Sequence, residues 1–171
     1  MREKLLSFYL PLLLYLSFVA SACGAEKSTR LAGEFQSYQT IAEARDMLAK
    51  AGIKDGWKEN IQKTGSTDQR PPYEILYMAG PFKLLDIEGR LRLTFYNGWL
   101  TETQFSTLKG REFIKALRAR NVQIPEKSGA EILTDVRTKF RFDSDPGQMT
   151  RFTWYDPKLE EEWNRWVAEH S

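Results

Sequence analysis

From residue 40 onward, apolar and polar positions recur on two different periods, and the switches between them mark the elements. Ile41, Ala44, Met47, Leu48 and Ala51 fall at helical spacing. Thr40 and Glu43 form a capping box ahead of them, and Gly52 supplies a left-handed stop. A polar run over 63–72 follows, after which the period drops to two. Tyr73–Met78, 82–87, 90–96 and Trp99–Thr107 are predicted strands, the last two joined by Asn97-Gly98, whose chemistry is that of a type I′ hairpin turn. A second helix is predicted over 110–120, burying Phe113, Ile114 and Leu117. Residues 132–142 alternate along their whole length, which predicts one long strand. Ile132, Thr134, Val136, Thr138, Phe140 and Phe142 face one way; Leu133, Asp135, Arg137, Lys139 and Arg141 face the other. The turn Ser144-Asp145-Pro146-Gly147 leads into a strand over 148–155.

Two readings compete for the end of the chain. Asp156 as cap, Pro157 at the first position and Glu160, Glu161 and Glu162 in the first turn argue a helix over 157–168, with Leu159, Trp163, Trp166 and Val167 as its buried stripe. The other reading is a strand, suggested by an internal similarity. Residues 92–102 align without gaps on 151–161, with five of eleven positions identical and three more of the same character. Each segment follows a predicted helix, so the chain divides into halves at 40–107 and 108–171 if the similarity is a repeat, with Trp57 to Ile61 as an insertion in the first. Either way the expected fold class is α+β, helices packed on an antiparallel sheet, in one domain over 40–171. The plan loosely resembles small exported folds such as the β-lactamase inhibitory protein and the small lipoprotein of the outer-membrane assembly machine. No functional residue is carried over from either.

The first 23 residues follow a different logic. Arg2 and Lys4 precede an almost wholly apolar stretch from Leu5 to Ala20, and the small residues Ala20, Ser21 and Ala22 close it. That is the pattern of a secretory signal peptide over 1–22. The sequence Val19-Ala20-Ser21-Ala22-Cys23 then resembles the lipobox of bacterial lipoproteins, with Ala20 where Leu is most usual. The resemblance implies cleavage before Cys23, attachment of a diacyl lipid to its sulfur through a thioether, acylation of its new amino terminus, and, with Gly24 following, residence at the outer membrane, facing the periplasm. Acyl chains at about 0.8 kcal/mol per buried CH₂ make a stable anchor. Cleavage without acylation and an uncleaved spanning helix interrupted by Pro11 are the competing readings. Residues 23–39 show no period and are expected to be a flexible tether.

Composition narrows the chemistry. The chain has 171 residues, 42% hydrophobic, with one Cys, one His and a net charge of +2. Zinc sites built on Cys and His and Ser-His-Asp or Cys-His machinery lack their residues, and the charge gives no nucleic-acid signal. No metal, cofactor or Gly-rich phosphate loop is expected. Asp143-Ser144-Asp145-Pro146-Gly147 is too short for a calcium loop and reads as a turn. Asp86, Glu88 and Glu102 are carboxylates of the sort glycoside hydrolysis uses, but no spacing singles out a pair. His170 is read as terminal decoration, and Trp99, beside a hairpin turn, as a ring more open to exposure than Trp163 and Trp166.

One face stands out. If Leu91, Leu93, Phe95, Phe152 and Trp154 point to the core, then Arg92, Thr94 and Tyr96 and, equally, Arg151, Thr153 and Tyr155 point outward, joined by Arg137, Lys139 and Arg141. This predicts a basic, hydroxyl-rich, aromatic sheet surface that suits an anionic partner or a glycan. The expected function is a non-catalytic binding or adaptor lipoprotein that contacts another envelope protein. An inhibitor or immunity lipoprotein that neutralises an exported hydrolase or toxin is the alternative, and a carboxylate-based hydrolase the third. No oligomeric state follows from the sequence.

Overall fold

The strand-forming segments pair into a single antiparallel sheet. The computed structural model describes residues 28–53, 57–62, 73–78 and 81–170. The segment over 1–22 read as a signal peptide, Cys23 and the polar run over 63–72 lie outside the described residues. The strands are β1 (Trp57–Gln62), β2 (Tyr73–Met78), β3 (Phe82–Leu84), β4 (Ile87–Tyr96), β5 (Trp99–Thr107), β6 (Glu131–Leu133), β7 (Lys139–Asp143) and β8 (Thr150–Tyr155). They are ordered β1-β2-β4-β5-β8-β7-β6, with β3 pairing to β4 off that path. Three helices are described: α1 (Ile41–Lys50), α2 (Gly110–Arg118) and α3 (Pro157–His170). The fold is α+β, as the periodicity predicts.

One face of the sheet carries the core. Leu91, Leu93 and Phe95 of β4, Phe105 of β5, Phe140 of β7 and Phe152 and Trp154 of β8 are buried, and Phe113 and Leu117 of α2 and Ala44 and Leu48 of α1 join the same cluster. Phe113 is the central contact, its ring centroid 4.7 Å from that of Phe105 and 4.6 Å from that of Phe152. The capping box forms as read: Glu43 N–H donates to Thr40 Oγ1 at 3.2 Å, and Thr40 N–H donates to Glu43 Oε2 at 2.7 Å.

Three expectations are corrected. Residues 28–39 are folded, not a tether, at least from Thr29: Leu31, Ala32 and Phe35 sit in the core, Ala32 N–H donates to Thr103 Oγ1, and Leu100 exchanges backbone bonds with Tyr38 and Gln39. The strand expected over 132–142 is a hairpin. Asp135, Val136 and Arg137 form its bend, Thr134 N–H donates to Thr138 O, and Val136 is 92% exposed. The strand expected over 82–87 breaks at Leu85 and Asp86, both left-handed at φ 54° and 63°, and Ile87 already belongs to β4. The segment read as an insertion, Trp57 to Ile61, lies in strand β1.

The chain ends in a helix, which decides between the two readings of 157–168. The similarity between 92–102 and 151–161 is therefore confined to the strands. After Tyr96 the chain turns into β5, whereas after Tyr155 it enters α3.

Candidate functional site

The outer sheet face is organised by register into rows that cross the strands. Arg92, Gln104, Thr153, Arg141 and Glu131 form one row. Thr94, Glu102, Tyr155 and Lys139 form the next, and Arg90, Ser106, Arg151 and Asp143 a third. A bulge between Thr94 and Phe95 shifts the β4–β5 register, so that Phe95 faces Leu100 and Thr101 is the extra residue. Bulges re-aim a strand where it stops pairing. Here the carbonyl of Thr101 accepts from Asp156 N–H at 3.0 Å, which starts α3 across the outer face.

That position of α3 corrects the expectation of an open, solvated surface. Leu159 of α3 is 1% exposed, and Tyr96, Thr153 and Tyr155 are buried beneath or beside the helix; only Arg92 and Arg151 of the two aligned triplets are exposed, with Thr94 half-buried. Between sheet and helix lies a cleft of about 370 Å³. Strand β4 lines it with Arg92, Thr94 and Tyr96, β5 with Thr101, Glu102 and Gln104, β7 and β8 with Arg141, Arg151 and Tyr155, and α3 with Glu160 and Trp163.

The electrostatics follow from burial and pairing. Burial pushes the Glu102 carboxyl above the usual carboxylate range, against the pull of Arg92, Arg141 and a Thr94 hydroxyl at 3.4 Å. Glu160 is raised as well, by burial first and by the nearby Glu131 charge second. Glu131 moves the other way, because Tyr155 Oη donates to its Oε1 at 2.6 Å and Lys139 and Arg141 stand close. The Tyr155 phenol is correspondingly raised far above its ordinary value, chiefly by burial. Arg141 is shared between Glu131 at 3.5 Å and Asp143 at 3.8 Å. Among the described residues, Thr153 Oγ1 is buried with no hydrogen-bond partner, as is Arg141 Nε, which lies 3.8 Å from Asp143 Oδ2.

Acid–base hydrolysis needs carboxyls whose environments push them apart, one protonated and one ionised. The two that line this cleft, Glu102 and Glu160, are pushed in the same direction. Glu131, the ionised one, is held by Tyr155 and its basic neighbours and does not line the cleft. Guanidinium groups thus stand at the rim of the cleft, and carboxyls raised by burial lie within it.

The remaining predicted residues are dispersed. Arg137 is drawn to the end of the sheet by Asp156, with its guanidinium at 2.9 Å, and Lys139 turns to Glu131 at 3.4 Å. Trp99 is 40% exposed at the β4–β5 turn. Asp86 lies in the left-handed β3–β4 turn and Glu88 beside Lys83, so neither joins Glu102. Residues 144–147 form a turn, and the His170 side chain lies outside what is described. Glu131, Glu160, Gln104 and Trp163 were not singled out as ligand-facing. The outward parity of Glu102 and Gln104 opposite Arg92 and Thr94 was the signal for the β5 pair. A larger depression of about 680 Å³ lies between residues 30–31, 121–123 and the β6–β7 hairpin. Its carboxylate, Asp135, already accepts from the amides of Val136 and Arg30. Compared with known proteins, the chain matches no family and no curated sequence.

Proposed function

We propose that this chain is an exported envelope lipoprotein, acylated at Cys23 and placed by Gly24 at the outer membrane, that works as a non-catalytic protein-binding module. The cleft between the outer sheet face and α3 receives an acidic group of the partner. One observation carries this reading: Arg92 and Arg151, both exposed, flank the Gln104–Ser106 segment of β5 at the mouth of a cleft lined by Tyr96, Tyr155 and Trp163. Arg supplies bidentate donors and Tyr and Trp flat amphipathic surface, the residue types that dominate interface energetics.

The experiment is capture from envelope extract by the purified chain, read by mass spectrometry. The double variant Arg92→Ala, Arg151→Ala should keep stability to within about 0.5 kcal/mol per site, as exposed positions do. It should lose the partner, and added salt should mimic the loss. Capture that survives both changes refutes the cleft as the site. Metabolic labelling with a palmitate analogue tests the anchor: Cys23→Ala should abolish the label and release the protein.

A further inference from the structure

The path of the chain selects one end of the sheet. In the order β4-β5-β8-β7-β6 every neighbour is antiparallel, so the β4–β5 turn at Asn97-Gly98 and the β6–β7 bend at 134–138 lie at the same end. Exposed apolar side chains gather there: Val136 at 92%, Leu133 at 58% and Trp99 at 40%. The two hairpins are joined through Tyr38, whose ring lies 6.2 Å from that of Trp99 and has the Arg137 guanidinium 5.9 Å above it. The N-terminal segment is fastened at this end too. Thr29 Oγ1 bonds Asp135 Oδ2 at 3.3 Å and Thr138 Oγ1 at 2.8 Å, and Arg30 N–H donates to Asp135 at 3.1 Å.

We propose that this end rests on the lipid surface that holds Cys23, with Val136 and Trp99 entering the headgroup layer. The inference relies on acylation of Cys23, as proposed above, and adds an orientation to it. Six peptide steps separate Cys23 from Thr29, and they span at most about 20 Å. An anchor so short leaves the domain little choice of which end approaches the bilayer. The opposite end lies a nine-residue strand away, roughly 30 Å for β5. It carries its own exposed apolar residue, Leu108 at 79%, so exposure alone does not discriminate between the ends; the chain path does. Trp and Tyr are the residues that favour the membrane–water interface. Two carboxylates at this end are already tied: Asp135 accepts from the amides of Arg30 and Val136, and buried Asp156 is held by Arg137.

The test uses the full lipidated chain reconstituted in phosphatidylethanolamine and phosphatidylglycerol vesicles. A polarity-sensitive fluorophore is attached through Val136→Cys in one sample and Leu108→Cys in another. Cys23 does not compete, because its sulfur is alkylated. The label at 136 should shift to the blue and be quenched several-fold more strongly by doxyl-labelled lipid than the label at 108, which should emit as in water. A chain that floats with vesicles yet leaves position 136 unquenched, or quenches both positions alike, overturns the orientation and leaves the anchor standing. A chain with no acyl mass on Cys23 overturns the anchor and the orientation with it.

Discussion

Replacing Arg137 by alanine should damage this fold more than replacing the acid it holds. Arg137 Nε lies 3.0 and 3.1 Å from the two oxygens of Asp156, and a terminal guanidinium nitrogen lies 2.9 Å from Oδ2. The Asp156 side chain is 0% exposed, whereas that of Arg137 is 26% exposed. Asp156 also joins three elements. Its N–H donates to Thr101 O in the bulge, its carboxylate accepts from Lys158 N–H at 3.0 Å, and its carbonyl accepts from Glu160 N–H in the first turn of α3. Arg137→Ala leaves a buried carboxylate, and breaking such a pair from one side costs about 3–5 kcal/mol. Asp156→Ala leaves a guanidinium that can turn to water and removes a helix cap, so the loss should be nearer about 2 kcal/mol. At about 2–4 °C per kcal/mol for a domain of this size, Arg137→Ala should lower Tm by roughly 6–20 °C. Urea unfolding of the two variants beside the parent chain measures both losses. A loss under about 1 kcal/mol for Arg137→Ala, or a costlier Asp156→Ala, would refute the reasoning.

Gly110 opens α2 with no room for a side chain, since a Cβ there would lie 2.2 Å from Thr150 Oγ1 and 2.7 Å from Thr150 Cβ. Gly110→Ala should destabilise by more than the roughly 1 kcal/mol it gains in helix propensity, and Thr150→Ser should recover little of it because the Cβ clash persists; thermal melts of the three chains decide. A chain beginning at Thr40 loses Leu31 and Phe35 from the core, at about 2–5 kcal/mol for each large apolar side chain, and should be digested rapidly by trypsin where a chain beginning at Ser28 resists. Glu102, raised by burial, contributes stability that is present below its unfolded pKa and lost as pH rises through its folded value. Glu102→Gln should therefore raise Tm at neutral pH and leave it unchanged in mild acid.

The inner face was legible because its alternation is backed by large apolar residues. Leu91, Leu93, Phe95, Phe152 and Trp154 are each where their parity put them. The β6–β7 bend was not, because Val136 keeps the alternation going through residues that turn. No Gly, Pro or Asn marks the place; Asp135 alone supports it, accepting from Val136 N–H at 2.8 Å. Leu85 was equally unmarked, a left-handed leucine where the turn chemistry asks for Gly or Asn. Residues 28–39 have no period because they lie across the core as an irregular strap, with Gly33 at φ 62°, and not as a helix or a paired strand. The cleft was half legible. Strand parity gave its floor, but the stripe of Leu159 and Trp163 announces only that α3 covers something, and amphipathicity does not say which sheet face.

The covering helix decides what the cleft can select. On an open sheet face, Glu102 would keep its hydration among a surplus of basic residues, with Arg90, Arg92, Lys139, Arg141 and Arg151 set against Glu102, Glu131 and Asp143. With α3 above, desolvation works against the carboxyls at Glu102 and Glu160 and leaves guanidinium groups charged, since arginine is not deprotonated in proteins. Burial thus acts on one sign of charge only. Arg141 is already shared by Glu131 and Asp143, so the capacity for an incoming anion falls on Arg92 and Arg151 at the rim. A cationic ligand would have to pass two rim arginines to reach carboxyls whose ionised form burial disfavours, whereas an anionic one meets both arginines first.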